Sequence, residues 1–148
     1  MKCDTAVHIC YGYGIKANTD WKQTLGSEWR QYEAIFPKLQ QSAIDMVSLE
    51  CHNSRVPMEL IELIRGKKVM VGAIDVATHQ IETPEQVAET LHKALQFVDA
   101  ENLYPCTNCG MAPLPRDVAQ GKLSALAQGA KLVRNDYLAT HQLDDLII

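Results

Sequence analysis

No apolar run in these 148 residues approaches the roughly 20 needed to cross a bilayer, so a membrane-spanning helix is not expected. The first residues contain no signal-peptide h-region, and export is not expected either. Positive charge is scarce. Fourteen Lys and Arg stand against 18 Asp and Glu, a formal net charge of −4, and no basic stripe runs along the chain. A nucleic-acid partner requires such a stripe to neutralise phosphates, so that class is excluded. Cysteine is present, but not as a disulfide framework: the five thiols are odd in number, and three adjoin His, Glu or another Cys. Together these absences favour the cytoplasm.

What is present is ordinary for a soluble globular protein, with 47% hydrophobic and 22% charged residues. A chain of this length is one domain, residues 1–148, able to bury about two-thirds of its unfolded surface. A strand-then-helix rhythm repeats along it. Thr5–Cys10 reads as a strand, followed by a Gly-, Asn- and Thr-rich loop over 11–26. Trp29, Tyr32, Ile35, Phe36 and Leu39 recur at helical spacing and predict a helix over 28–42. Ile44–Leu49 is the second strand. Pro57 opens a helix to Ile64, which Gly66 ends. Lys68–Ile74 is a nearly continuous apolar strand of the buried parallel kind. Thr83 caps a helix from Pro84, with Val87, Leu91, Ala94 and Val98 as its inner stripe. A short strand over 102–105 and a helix over 116–133 complete the series.

Strands alternating with helices imply a parallel sheet with right-handed crossovers. An eight-unit barrel needs about 250 residues. The fold class expected is therefore α/β with TIM-barrel-like (β/α) repeats: four βα units, half of a (β/α)8 barrel. Such a half exposes two strand edges and an apolar inner face, so a homo-oligomer, or completion by a missing N-terminal half, is expected.

Parallel strands deliver their C-terminal residues to one rim. Four residues near those ends are of types that zinc accepts: His8 and Cys10, Glu50, and Cys109 within Cys106-Thr-Asn-Cys109. Zn²⁺ is the cofactor this set predicts. Other readings stand beside it. His8 and Cys10 suit a core, Glu50 suits a solvated turn, and Cys106-x-x-Cys109 suits a redox pair. Cys3 and Cys51 read as incidental, and His92 and His141 as surface positions.

His8-Ile-Cys10-Tyr-Gly12, Val47-Ser-Leu-Glu50, Val71-Gly-Ala-Ile-Asp75 and Asn108-Cys109-Gly110, in this order and spacing, resemble the C-terminal half of the cobalamin-independent methionine synthases over roughly Thr5–Arg134. The resemblance implies that these motifs lie on the last four strands of an eight-stranded barrel, with zinc ligands at His8, Cys10, Glu50 and Cys109. It implies an enzyme of methionine biosynthesis, a 5-methyltetrahydropteroyltriglutamate–homocysteine S-methyltransferase, passing a methyl group from methyl-folate or another donor to the thiol of homocysteine. Several family members place a proton-shuttling His two residues after the Asp that ends the third strand. Here that position is Ala77, and His79 lies two residues further on, so Asp75 and His79 are the catalytic candidates. The groups that hold the amino acid and the folate lie largely in the family's other half.

The chemistry agrees with the ligands. A thiolate is the nucleophile, and coordination to zinc deprotonates a thiol at neutral pH. Glu50, the hard ligand, is the one expected to loosen as substrate sulfur binds. His52, Asn53, Ser54 and Arg55 are placed to contact substrate or serve only as a loop. The 11–18 loop is expected to fold over the site, and the 144–148 tail to dock on a neighbouring surface. Two other functions fit the same residues: methyl transfer from a corrinoid to another thiol such as coenzyme M, and a non-catalytic zinc-binding subunit.

Overall fold

Four parallel strands in the order β1-β2-β3-β4 form one sheet in the computed structural model, which describes residues 3–12 and 16–144, with side chains as far as residue 140. They are β1 (Ala6–Ile9), β2 (Met46–Glu50), β3 (Lys68–Gly72) and β4 (Leu103–Cys106). Helices follow each: α1 (Lys16–Gln23) and α2 (Phe36–Gln40) after β1, a 3-10 helix (Met58–Ile64) after β2, α3 (Pro84–Ala94) after β3, and α4 (Arg116–Asp144) after β4. This is the α/β architecture of four βα units that the rhythm of the chain predicts.

Side chains alternate across a strand, so the in-register pairing separates two faces. Val47, Leu49, Val69 and Val71 share one face and are buried beneath the helices, joined by Phe36, Ile64, Val87 and Leu91. The opposite face carries a row in which His8, Ser48, Met70 and Tyr104 stand side by side. A second row on that face sets Glu50, Gly72 and Cys106 in line. This face is half-buried to exposed, apart from Ser48 and Gly72. The apolar run over 68–74 is therefore only partly a two-faced buried strand. Its odd positions meet helices, while Lys68 and Met70 do not.

The helix expected over 28–42 is broken. A 3-10 helix (Gln31–Ala34) precedes α2, and Pro37 sits in the first turn of α2. Proline has no N–H to donate and clashes with the preceding turn, so a helix must restart around it. Tyr32 and Phe36 are buried, whereas Ile35 is 45% exposed. Conversely, α1 lies within the stretch read as loop. It buries nothing, and an exposed Lys16–Asp20 pair at i,i+4 is one of its few supports. Thr83 caps α3 as expected: it accepts the Gln86 N–H while the Gln86 side chain accepts the Thr83 N–H, a full capping box. α4 runs on past Val133, leaving Tyr137 and Leu138 largely exposed. Tyr13, Gly14 and Ile15 of the covering loop, and residues 145–148 of the docking tail, lie outside the described residues.

Candidate metal centre

The C-terminal ends of all four strands open onto one rim, and the segment after β4 crosses it. Asn108 accounts for the crossing. Its N–H donates to the Ile74 carbonyl beyond β3 at 2.9 Å. Its side chain accepts the Cys51 N–H at 3.1 Å and donates to the His52 carbonyl at 2.7 Å, both beyond β2. Gly72 lets it pass: a Cβ there would lie 2.6 Å from the Leu49 carbonyl oxygen and 2.8 Å from the Asn108 Cα. Cys109 is thus carried from the β4 side of the sheet to the end of β1, where its Sγ lies 3.8 Å from that of Cys10.

His8, Cys10 and Cys109 form a cluster whose ligand atoms all lie within 4.8 Å of one another. The period-2 alternation puts His8 and Cys10 on the same side of β1. Ser48, opposite His8 in the ladder, meets the imidazole Nδ1 at 3.0 Å and leaves Nε2 as the ring nitrogen open to a metal. Two sulfurs on a tetrahedral zinc, each about 2.3 Å from the ion, are about 3.8 Å apart. Two thiols and an imidazole at these separations therefore fit zinc.

Glu50 lies outside that cluster of three, although it borders the same space. Its Oε1 accepts the Tyr11 N–H at 3.1 Å. Burial raises its carboxyl above the usual range, and the nearby Asp75 adds to this, while the Tyr11 N–H and Lys22 oppose it. Burial also raises the Cys10 thiol. The Gly12 N–H opposes the rise, and Cys109 and Glu50 add to it. Burial thus makes ionisation of Cys10 and Glu50 costly, a cost that a bound cation would offset.

An open cavity of about 530 Å³ lies beside the cluster, with Cys10, Lys22, Trp29, Glu50, Asp75 and Cys109 in its walls. His52, Asn53 and Ser54 also line it. Arg55 does not: it donates to the Gly26 carbonyl and sits over the Trp29 ring. Asp75 is at the wall as the strand pattern suggests, its carboxylate accepting the Ala77 N–H at 2.8 Å and the Asn53 amide at 3.3 Å. His79 is exposed and is not a lining residue, because the chain turns away after Ala77 and returns through Gln80 and Glu82 to α4.

The Cys106-x-x-Cys109 segment does not open a helix, since α4 begins at Arg116. Cys106 sits on β4 near Ser48 (3.9 Å), where burial pushes its thiol up to about 11. Cys51 is half-buried, and desolvation pushes its thiol up to about 12. All five thiols are free. Four contributors escape the sequence pattern: Ser48, the Asn108 side chain, Lys22 and Trp29. Two of them had a signal: Ser48 shares the parity of Glu50 two residues after it, and Asn108 opens the Asn108-Cys109-Gly110 motif.

Most of the chain is similar to known proteins of one kind. The model of the "Cobalamin-independent synthase, Catalytic domain" family matches residues 14–132. A methionine synthase of Sulfurisphaera tokodaii is 30% identical over 132 residues, covering 88% of this chain and 33% of that protein. One from Saccharolobus islandicus is 29% identical over 133 residues, with 88% and 34% covered. The chain thus spans about a third of the length of these relatives. Among solved structures, a B12-independent methionine synthase from Shewanella sp. W3-18-1, in complex with selenomethionine, superposes with a TM-score of 0.89 at 76% identity, covering 94% of this chain and 41% of that one.

Proposed function

Because this chain belongs to the cobalamin-independent methionine synthase family, we propose that its rim holds zinc and presents the thiol of homocysteine for methylation to methionine. The observation that carries the proposal is the convergence of His8, Cys10 and Cys109 within 4.8 Å beside a cavity large enough for an amino acid. When bound, zinc supplies the Lewis acidity that keeps a coordinated thiol deprotonated.

The residues of the chain do the rest. His8, oriented by Ser48, and the two cysteines form the protein side of the site. Glu50, which borders the cluster, would be the fourth donor, and the Tyr11 N–H gives its carboxylate a second partner. Asp75, His52 and Lys22 are polar groups of the cavity wall available to the substrate, and His79 stands apart from them. Trp29 forms part of the apolar wall of the cavity. A methyl-folate is the proposed donor. Free thiols at the site suit the reducing cytoplasm.

The test is elemental analysis of protein purified without added metal, followed by titration with homocysteine. We expect about one zinc per chain, near zero in Cys109→Ser, and no loss in Cys106→Ser, with one proton released per homocysteine bound. No zinc in the unaltered protein would refute the metal assignment. Zinc without homocysteine binding would leave a metal-binding module and refute the enzymatic reading.

A further inference from the structure

Lys122 of α4 is wholly buried, an unusual place for an ammonium group. Its Nζ donates to both carboxylate oxygens of Glu82 at 3.0 Å, to the Asp75 carbonyl at 2.8 Å, and to the Gln80 carbonyl. Glu82, itself 7% exposed, uses Oε1 to accept the Asp75 N–H at 2.9 Å. The pair therefore grips Asp75 by both of its backbone polar groups. The turn from Asp75 to Glu82 is closed around the ammonium. Gly121 of α4 packs against the Ile81 side chain of this turn, where a Cβ would lie 2.4 Å from the Ile81 Cδ1.

With its backbone clamped, Asp75 has little freedom left except at χ1 and χ2. Its carboxylate is at the cavity wall, where the Ala77 N–H and the Asn53 amide complete its hydrogen bonds. A buried ion pair is a poor way to add stability, since desolvation offsets the Coulomb attraction. Its use here is geometric. We propose that Lys122 and Glu82 are positioning residues that hold the Asp75 carboxylate against the substrate cavity and thereby set the affinity of the site for its thiol substrate. The substrate part of this proposal rests on the homocysteine reading above.

Zinc-loaded protein and three variants separate positioning from simple support. Lys122→Met alone leaves Glu82 buried without its partner, and the melting temperature falls. Glu82→Gln alone keeps an acceptor for the Asp75 N–H and has the smaller effect. The double variant Lys122→Met/Glu82→Gln removes both charges and recovers most of the lost melting temperature. It does not recover the clamp, because no Nζ remains to hold the Asp75 and Gln80 carbonyls. We expect its Ala77 amide to exchange with solvent at least tenfold faster than in the parent, and its homocysteine affinity to fall at least tenfold, with zinc content unchanged. Parental Ala77 protection or parental affinity in the double variant would overturn the proposal. If the parent itself binds no homocysteine, the functional reading fails separately, and the Ala77 exchange rate still decides the positioning claim.

Discussion

Glu50 serves two opposed demands. As the proposed fourth ligand it would have to be ionised, yet its place at the end of β2 is half-buried and burial raises its carboxyl above the ordinary 4.5. Below pH 4.5 the folded and unfolded chains are both protonated there and the site costs nothing. As pH rises through 4.5 to the raised folded value, ionisation favours the unfolded chain, so the metal-free protein loses stability. Glu50→Gln should therefore make the metal-free protein more stable at pH 7 and leave it nearly unchanged at pH 4, as read by urea unfolding. A variant less stable at pH 7 would refute this. At this scale much was legible. His8 and Cys10 share a strand face by parity, and Cys109 stood out beside its glycine. The Asn108 clasp and the Lys122–Glu82 pair were not legible, because each joins groups dozens of residues apart and no local pattern encodes such pairings.

Among the elements, the strands formed where their apolar segments lie, although β3 is buried on one face only, and α3 followed its cap. The failures have local causes. α1 has no apolar stripe to betray it, and Pro37 outweighs the helical spacing that surrounds it. The most consequential junction is where β3 meets the turn after β4. Gly72→Ala would force a methyl group against the Leu49 carbonyl and the Asn108 backbone, both main-chain groups with little room to retreat. We expect a loss of about 1–3 kcal/mol in unfolding free energy, typical of overpacking at a rigid contact. We also expect weaker zinc retention, since Asn108 would be displaced and would carry Cys109 with it. Chemical denaturation and elemental analysis of the same preparation check both. Unchanged zinc content in a destabilised variant would show that the turn can shift without moving the sulfur.

At the scale of the whole fold, the sheet of the described residues is open. Among them, β1 and β4 each have one neighbour in the sheet order, and the face bearing Ala6, Met70 and Tyr104 is half-buried to exposed apart from Ser48 and Gly72. Parallel strands are normally buried on both faces, and an unpaired edge is a template for association. We propose that the 16.5 kDa chain self-associates, with a mass at micromolar concentration above 16.5 kDa in sedimentation equilibrium. A strictly monomeric mass would overturn this. The open sheet also changes what a bound ion would do. Cys10 and Cys109 are 99 positions apart and follow the two outermost strands, yet their sulfurs touch. An ion held by both would close the chain from Cys10 to Cys109 into a ring that takes in all four strands and leaves α4 outside. A chain that kept the ion while unfolding would begin from a contracted ensemble, with a loop-closure entropy cost of the kind a long-range disulfide imposes. The metal would then act on the architecture as a cross-link, over and above any part it takes in chemistry.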